Sequence, residues 1–251
     1  MYLSRIEIIG LIGIPDVIAN DNIGKLIIQN LKKNNITLKN GDIFVITQKI
    51  VSKSEKRVIN LNEINLSRKA TYLGKKLDKN PKEVQLILDE SRNVIKSKNN
   101  ILITETKHGL ICANSGIDTS NVFQDDYSLL PKNSNKSAKK IQNYIEKSSG
   151  KTIAVIISDT FGRPFRRGQT DVAIGLSGLK PLKDYRGKTD KHGNDLKVTL
   201  IAIADELASA AELVKGKTSE IPVVLIRGYS YKKGNYTANS LIMSREENLF
   251  I

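Results

Sequence analysis

Ser158-Asp159-Thr160-Phe161-Gly162-Arg163-Pro164-Phe165-Arg166-Arg167-Gly168-Gln169-Thr170-Asp171 follows directly on the apolar run Ile153-Ala154-Val155-Ile156-Ile157. The run reads as a buried strand, and its polar chemistry begins where it ends. A strand that rises from the core and delivers Asp159 and Thr160 presents hard oxygen ligands where a divalent cation could sit. Arg163, Arg166 and Arg167 follow on a chain that Gly162, Pro164 and Gly168 keep irregular, and their fork-shaped donors could clamp phosphate or carboxylate. The competing reading is a surface loop whose arginines pair with Asp159 and Asp171, and residue types alone weigh the two evenly.

On either side of this stretch the pattern predicts a mixed α+β chain and not regular βαβ alternation. Strands are expected at residues 2–9, 43–47, 101–104, 152–158 and 222–227, the second launched from the turn Asn40-Gly41-Asp42. Helical spacing appears at 23–31, at 66–77, and again after Pro81, which suits a first helical position. Another helix should end near Gly150. The longest is expected at 196–214, where Leu196, Leu200, Ile203, Leu207, Ala210, Ala211 and Val214 recur at three- and four-residue steps, with Gly216 placed to end it. The glycine-containing stretch 107–121 reads as a functional loop. One module over residues 1–251 is expected, and the polar residues near 128–137 are the place for a boundary between two lobes.

The chain has 251 residues, 39% hydrophobic and 26% charged, enough for a sizeable core. One cysteine, Cys112, excludes an intramolecular disulfide, no Cys/His cluster has zinc spacing, and a reducing cytoplasmic setting is expected. No signal peptide is read near the start, and nowhere do about 18 apolar residues run together, so no membrane span is expected. The formal charge of +14 will gather anions. Nucleic acid is disfavoured among these, because aromatics are only 5%, Trp is absent and no recognition signature appears. Runs such as Lys32-Lys33-Asn34-Asn35 are equally a solvated surface.

Gly-Lys-Thr occurs at residues 150–152 and 216–218, but a phosphate loop needs a glycine five residues earlier, where Ile145 and Ala211 stand. Any nucleotide is bound by another route. Asp118 and Asn121 sit among small residues in the 107–121 stretch. Asp118 and Asp159 from separate segments would make an economical site for a metal bridging nucleotide phosphates, although an aspartate in a turn more often bonds backbone. Cys112 is read as a small buried hydrophobe and His108 as a hydrogen-bonding loop residue. Gly13-Ile14-Pro15-Asp16 and Gln48-Lys49, with Lys53, each follow a strand and could reach phosphates, while Asp205 and Glu212 read as solvated helix residues.

Taken in order, the Gly13-Ile14-Pro15 turn, residues 41–53, His108-Gly109 through Asn121, Asp159 through Gly175, and Ala204-Asp205-Glu206-Leu207-Ala208 closely resemble the coenzyme F420:L-glutamate ligase (F420-0 gamma-glutamyl ligase) family. The fourth stretch is the most specific, since so long an unusual residue order is not expected to recur in an unrelated protein. The resemblance implies an α+β fold with mixed and antiparallel sheets, an intertwined homodimer, and a GDP-forming ligase. Its members add L-glutamate to the lactyl-phosphate-linked deazaflavin F420-0, with gamma linkages after the first. It implies Asp118, Asp159 and Thr160 as ligands of Mg or Mn. It further implies Gly13, Ile14, Pro15, Asp16, Gln48, Lys49, Lys53, Asn121, Gly216, Lys217, Thr218 and Ser219 as GTP contacts, and a monovalent cation, K, with no ligands assigned. At Lys217 an uncharged or acidic side chain is the family expectation, which favours a backbone contact there. A C-terminal flavin-reductase-like extension, found in some members, does not fit in this length.

The physical chemistry agrees, since a carboxylate must become an acyl phosphate before it acylates an amine, and every participant is an anion. Asp118, Asp159 and Arg163 are the expected catalytic residues, and Arg166 and Arg167 an anion clamp. The alternatives are an amide ligase for another phosphorylated carboxylate and a basic nucleic-acid-binding protein.

Overall fold

The computed structural model describes residues 5–120, 126–244 and 246–248. The chain begins with β1 (Glu7–Gly10), α1 (Ile23–Lys33), β2 (Ile43–Thr47), α2 (Gln48–Ser54) and β3 (Val58–Asn60). It continues through α3 (Arg68–Leu77), α4 (Pro81–Asp89), β4 (Ser91–Lys98), β5 (Ile101–Thr106), β6 (Ile111–Ala113), β7 (Asp126–Ser128) and α5 (Ser134–Ser149). There follow β8 (Ala154–Arg163), β9 (Arg166–Leu179), β10 (Leu182–Asp184), β11 (Lys188–Thr189), β12 (Asp195–Leu196) and β13 (Leu200–Ala202). Helix α6 (Ile203–Lys215), β14 (Val223–Arg227) and β15 (Lys233–Gly234) complete the set.

Six strands form the main sheet in the order β1-β14-β2-β8-β9-β15, with β2 and β8 parallel and the other pairs antiparallel. This is the mixed α+β architecture expected from the pattern. Its central strands are apolar on both faces because both faces are covered. Phe44, Ile46, Val155 and Ile157 pack with residues of α1 and α5, while Ile43, Val45, Ala154 and Ile156 pack with α6. Side chains alternate along a strand, so neighbouring residues of β8 belong to opposite cores. A smaller core forms where Ala70, Leu77, Val84, Ile87 and Leu102 bring α3 and α4 onto the β4-β5-β6 sheet. Arg57 ties the two together, with Nη2 2.6 Å from Glu90 and Nε donating to the Leu130 carbonyl.

Local chemistry sets several boundaries. Asn22 caps α1 by accepting from the Lys25 amide, Pro81 opens α4, and Gly150 closes α5 in the left-handed conformation. Strand β2 has the bounds that its apolar run predicts, and β1 ends one residue beyond its expected end at Ile9. Residues 2–4 of that expected strand lie outside the described residues.

Three expectations need correction. The helix expected at 196–214 begins only at Ile203, and α5 is longer. Leu196 and Leu200 instead lie in β12 and β13, where Leu182 pairs with Ala202 and Lys188 with Leu196. Their helical spacing was outweighed by pairing with residues that local periodicity cannot see. The stretch 158–171 is not an irregular loop but the outer part of a β8–β9 hairpin, with Arg163 paired to Arg166 across a turn at Pro164-Phe165. Stretch 107–121 likewise contains β6.

Candidate active site at one end of the main sheet

The candidate residues meet because several strands end together. Thr47 and Ser158 are the last paired residues of parallel β2 and β8, and open sheets bind ligands beyond the carboxyl ends of such strands. The Leu11 amide bonds Val223 and the Thr47 amide bonds Pro222, so the turn after β1 and the segment before β14 reach the same end. Gly13 through Asp16, Gln48, Lys49, Asp159 and the residues just after α6 therefore share one edge. Gly13 turns the chain at φ +83°, and Asn30 steadies it by donating to the Ile12 carbonyl at 2.9 Å. Ile14 packs on the core, while Pro15 and Asp16 are exposed.

Asp118 arrives from the smaller core, fixed by a bridge to Ser128. Its carboxylate lies 2.8 Å from Lys49 Nζ and accepts the Ser120 amide at 2.7 Å. Burial raises its pKa, but the bonds from Lys49 and Ser120 and the Lys49 charge prevail and hold the group below the usual carboxylate value. Asp159 behaves in the opposite way. Burial, countered by the Thr160 amide and reinforced by the charges of Asp171 and Asp118, pushes it up to about 7 despite Lys49. Cys112 nearby is raised to about 12 by burial and by Asp159, which fits an inert buried thiol. His108 bonds the Lys132 carbonyl through Nε2, as a loop residue should.

Gln48 is buried. Its Oε1 accepts from Ser52 at 2.8 Å, and its Nε2 has no hydrogen-bond partner among the described residues. A buried amide donor with nothing to bond costs about 1–3 kcal/mol, so it marks a place where a ligand acceptor would be stabilising. Lys53, on the same helix α2, is half-buried.

Strand alternation separates two of the expected metal ligands. Phe161 and Val172 flank the Asp159 position on the α1/α5 side, whereas Ser158, Thr160 and Asp171 meet on the α6 side. There Thr160 Oγ1 donates to Asp171 Oδ1 at 2.7 Å and accepts from Lys217 Nζ at 2.6 Å. Lys215, buried at the end of α6, pairs with Asp171 and donates to Ser158 Oγ at 2.8 Å. Burial raises the Asp171 pKa, but Lys215 and the two hydroxyls outweigh it and leave it low. Lys217 also reaches Glu212 at 2.7 Å. After Gly216, which ends α6, Ser219 folds back onto the Lys215 carbonyl. Both Gly-Lys-Thr glycines thus end helices, the opposite polarity from a phosphate loop.

The arginines do not pair with Asp159 or Asp171. Arg163 donates to the Arg167 carbonyl at 2.8 Å, and Arg163, Arg166 and Arg167 are all exposed on the hairpin. Asn121 lies outside the described residues.

The F420-0:Gamma-glutamyl ligase family model matches residues 11–228. The chain is 46% identical over 249 residues to coenzyme F420:L-glutamate ligase of Methanocaldococcus jannaschii, covering 98% of this chain and 97% of that one. It is 45% identical to the protein of the same name from Methanococcus maripaludis strain S2, with the same coverage. To that of Methanothermobacter thermautotrophicus it is 42% identical over 248 residues, 98% of each chain. The chain belongs to the F420-0:gamma-glutamyl ligase family.

The divalent ion implied by this family fits the donor chemistry. Asp118 and Asp159 supply two hard carboxylates, and Asp159, pushed up to about 7 chiefly by burial and also by the charges of Asp171 and Asp118, would be stabilised in its ionised form by an added cation. Among the described residues no three His, Cys, Asp or Glu side chains converge on one metal position. Such a set suits Mg or Mn, which commonly takes one or two carboxylates and completes its shell with phosphate oxygens and water.

Sequence reading undervalued Asp171, Asp205 and Glu212 in this F420-0:gamma-glutamyl ligase chain. Asp205 accepts the Ala173 amide at 2.9 Å, and Glu212 pairs with Lys217, so neither is simply solvated. The one available signal was the spacing of Glu212 and Lys215 on a helix. Among the described residues no helix is long and apolar enough to cross a membrane.

Proposed function

We propose that this chain joins L-glutamate to coenzyme F420-0 at the expense of GTP, with gamma linkage after the first residue. The observation carrying the reading is the Asp118/Asp159 pair at this end of the sheet, one carboxylate 2.8 Å from Lys49 and the other buried beside like charges. The names of relatives 42–46% identical to the chain supply the substrate.

In this reading Gly13 through Asp16, Gln48, Lys49, Lys53, Asn121 and Gly216 through Ser219 bind GTP. The buried Gln48 amide donates to it, and Lys49 and Lys217 neutralise phosphate. Asp118 and Asp159 hold Mg or Mn, which supplies charge neutralisation at the transferring phosphoryl group. Thr160 is kept in one rotamer by Asp171, itself fixed by Lys215, so the wall of the phosphate site is set before substrate arrives. The F420-0 carboxylate takes the γ-phosphoryl group and releases GDP. The glutamate amine then attacks the acyl carbon and expels phosphate, forming the amide and losing a proton to solvent. Arg163, Arg166 and Arg167 lie on the approach and attract the anionic acceptor, and the enzyme works as a homodimer.

The test is mass spectrometry of F420-0 after incubation with protein, L-glutamate and Mg or Mn, with GTP in one tube and ATP in another. Addition of glutamyl units only with GTP is expected. No addition with either nucleotide, from folded and metal-loaded protein, would redirect the search to other phosphorylated carboxylates.

A further inference from the structure

The carboxylates at this end of the sheet fall into two sets on opposite sides of β8. On the α1/α5 side Asp118 and Asp159 are served by Lys49, 2.8 Å from Asp118. On the α6 side Asp171 and Glu212 are served by two ammonium groups, Lys215 and Lys217. With all these groups ionised, the first set is left with a net negative charge and the second is neutral. A divalent ion is therefore drawn to the first set and has nothing to gain at the second.

Lys217 owes its place to the turn that ends α6. Gly216 has φ +55° and ψ −165°, a region that glycine alone enters readily, and the chain after it doubles back over the helix end. This brings Lys217 Nζ to 2.6 Å from Thr160 Oγ1, 2.7 Å from Glu212 and 3.8 Å from Asp171 Oδ1. Oxygens from β8, α6 and β9 thus surround a single positive charge, as a protein surrounds a hard metal ion. An ammonium group is close to a potassium ion in size and charge. Thr160, expected among the ligands of the divalent ion, already gives its proton to Asp171 and accepts from Lys217. Stability gives little reason for this arrangement, because Lys217 is 60% exposed and so open a pair contributes little. The same exposure leaves one N–H of the ammonium for a phosphate oxygen.

We propose that Lys217 is a built-in counter-cation: its ammonium takes the place of a second inorganic cation beside the nucleotide phosphates. The chain then takes one divalent ion per site, on the Asp118/Asp159 side, and Thr160 acts through Lys217 instead of through metal. This inference rests on the nucleotide reading above and goes beyond it by fixing the number of ions.

Equilibrium dialysis of the whole chain against Mn and GDP, with both bound species counted, tests it. Wild type and Lys217→Arg should bind one Mn with each GDP. Lys217→Gln leaves the oxygens of Thr160, Glu212 and Asp171 around a vacated place with a net negative charge. It should bind GDP about tenfold more weakly when Mn is low and K is absent. Raising Mn should restore the affinity with a second Mn bound, or KCl should restore it where tetramethylammonium chloride at equal ionic strength does not. The two arms tell which cation the oxygens accept. Because Lys217 is mostly exposed, the variants should keep the wild-type melting temperature. Two Mn per GDP in wild type overturns the inference, as does a loss of affinity in Lys217→Gln that neither cation restores, or no loss at all. Wild type that binds no GDP in the presence of Mn would sink the nucleotide reading itself, and it does so before any variant is compared.

Discussion

Asp159 keeps its proton to about pH 7 because burial denies its charge water, and Asp171 and Asp118 repel it. Since its ordinary value is 3.8, the folded protein binds this proton more tightly than the unfolded chain does. The resulting stability is complete below the unfolded value and is lost as pH rises through about 7. A neutral isostere escapes the loss. Metal-free Asp159→Asn should therefore melt above wild type at about pH 8, by the equivalent of at most roughly 4 kcal/mol, and the gap should close near pH 4. Adding Mn and GTP should reverse the order, because only wild type retains both carboxylates for the ion. Differential scanning calorimetry across this range checks both signs. Parallel pH profiles for the two proteins would mean that the carboxyl is not raised and that the site is already neutralised by lysine.

The β8–β9 hairpin was legible in its residues but not in its shape. Gly162, Pro164 and Gly168 are loop formers, yet Pro164 sits in the tight turn and the flanking residues pair across it. Whether such residues break a strand or turn it depends on a partner strand that lies later in the sequence. Single-element patterns fared better, as in β2 and α4, where burial and a proline at the first turn fix the bounds. Asp118 and Asp159 were legible as candidates because they are acidic residues among small ones. That Asp159 and Thr160 face opposite sides of β8 was not, since that needs a strand running through the motif. Gly175 shows a role that no local pattern discloses. A Cβ there would lie 2.4 Å from the Ser134 carbonyl carbon, so the start of α5 rests directly on β9. Gly175→Ala should lift that helix end and cost about 1–3 kcal/mol, seen as a lower urea midpoint. Gly162→Ala, where a Cβ meets nothing within 4 Å, is the matched substitution and should leave the midpoint in place.

For the molecule as a whole, the charge of +14 sets how anionic ligands arrive. Much of it is lysine on exposed surface, where individual ion pairs contribute little to stability. Lys49 and Lys215 differ in kind: Lys49 is only 18% exposed at Asp118, and Lys215 only 5% exposed at Asp171. The first class acts at a distance and is screened by salt, while the second acts at contact inside the protein and is screened far less. Association and chemistry should consequently respond differently to ionic strength. For a polyanion such as GTP, kcat/KM should fall several-fold between about 20 and 200 mM KCl, as the Debye length shrinks from roughly 20 to 7 Å. The value of kcat should change much less if, as proposed, Lys49 already reaches the bound nucleotide. Lys39→Glu, exposed just before β2 and so at the opposite end of that strand from Thr47, should lower kcat/KM at low salt alone. Steady-state kinetics over the salt series reads both quantities at once. A kcat that fell in step with kcat/KM would place the sensitive charges inside the site, and the surface lysines would then have no part in gathering substrate.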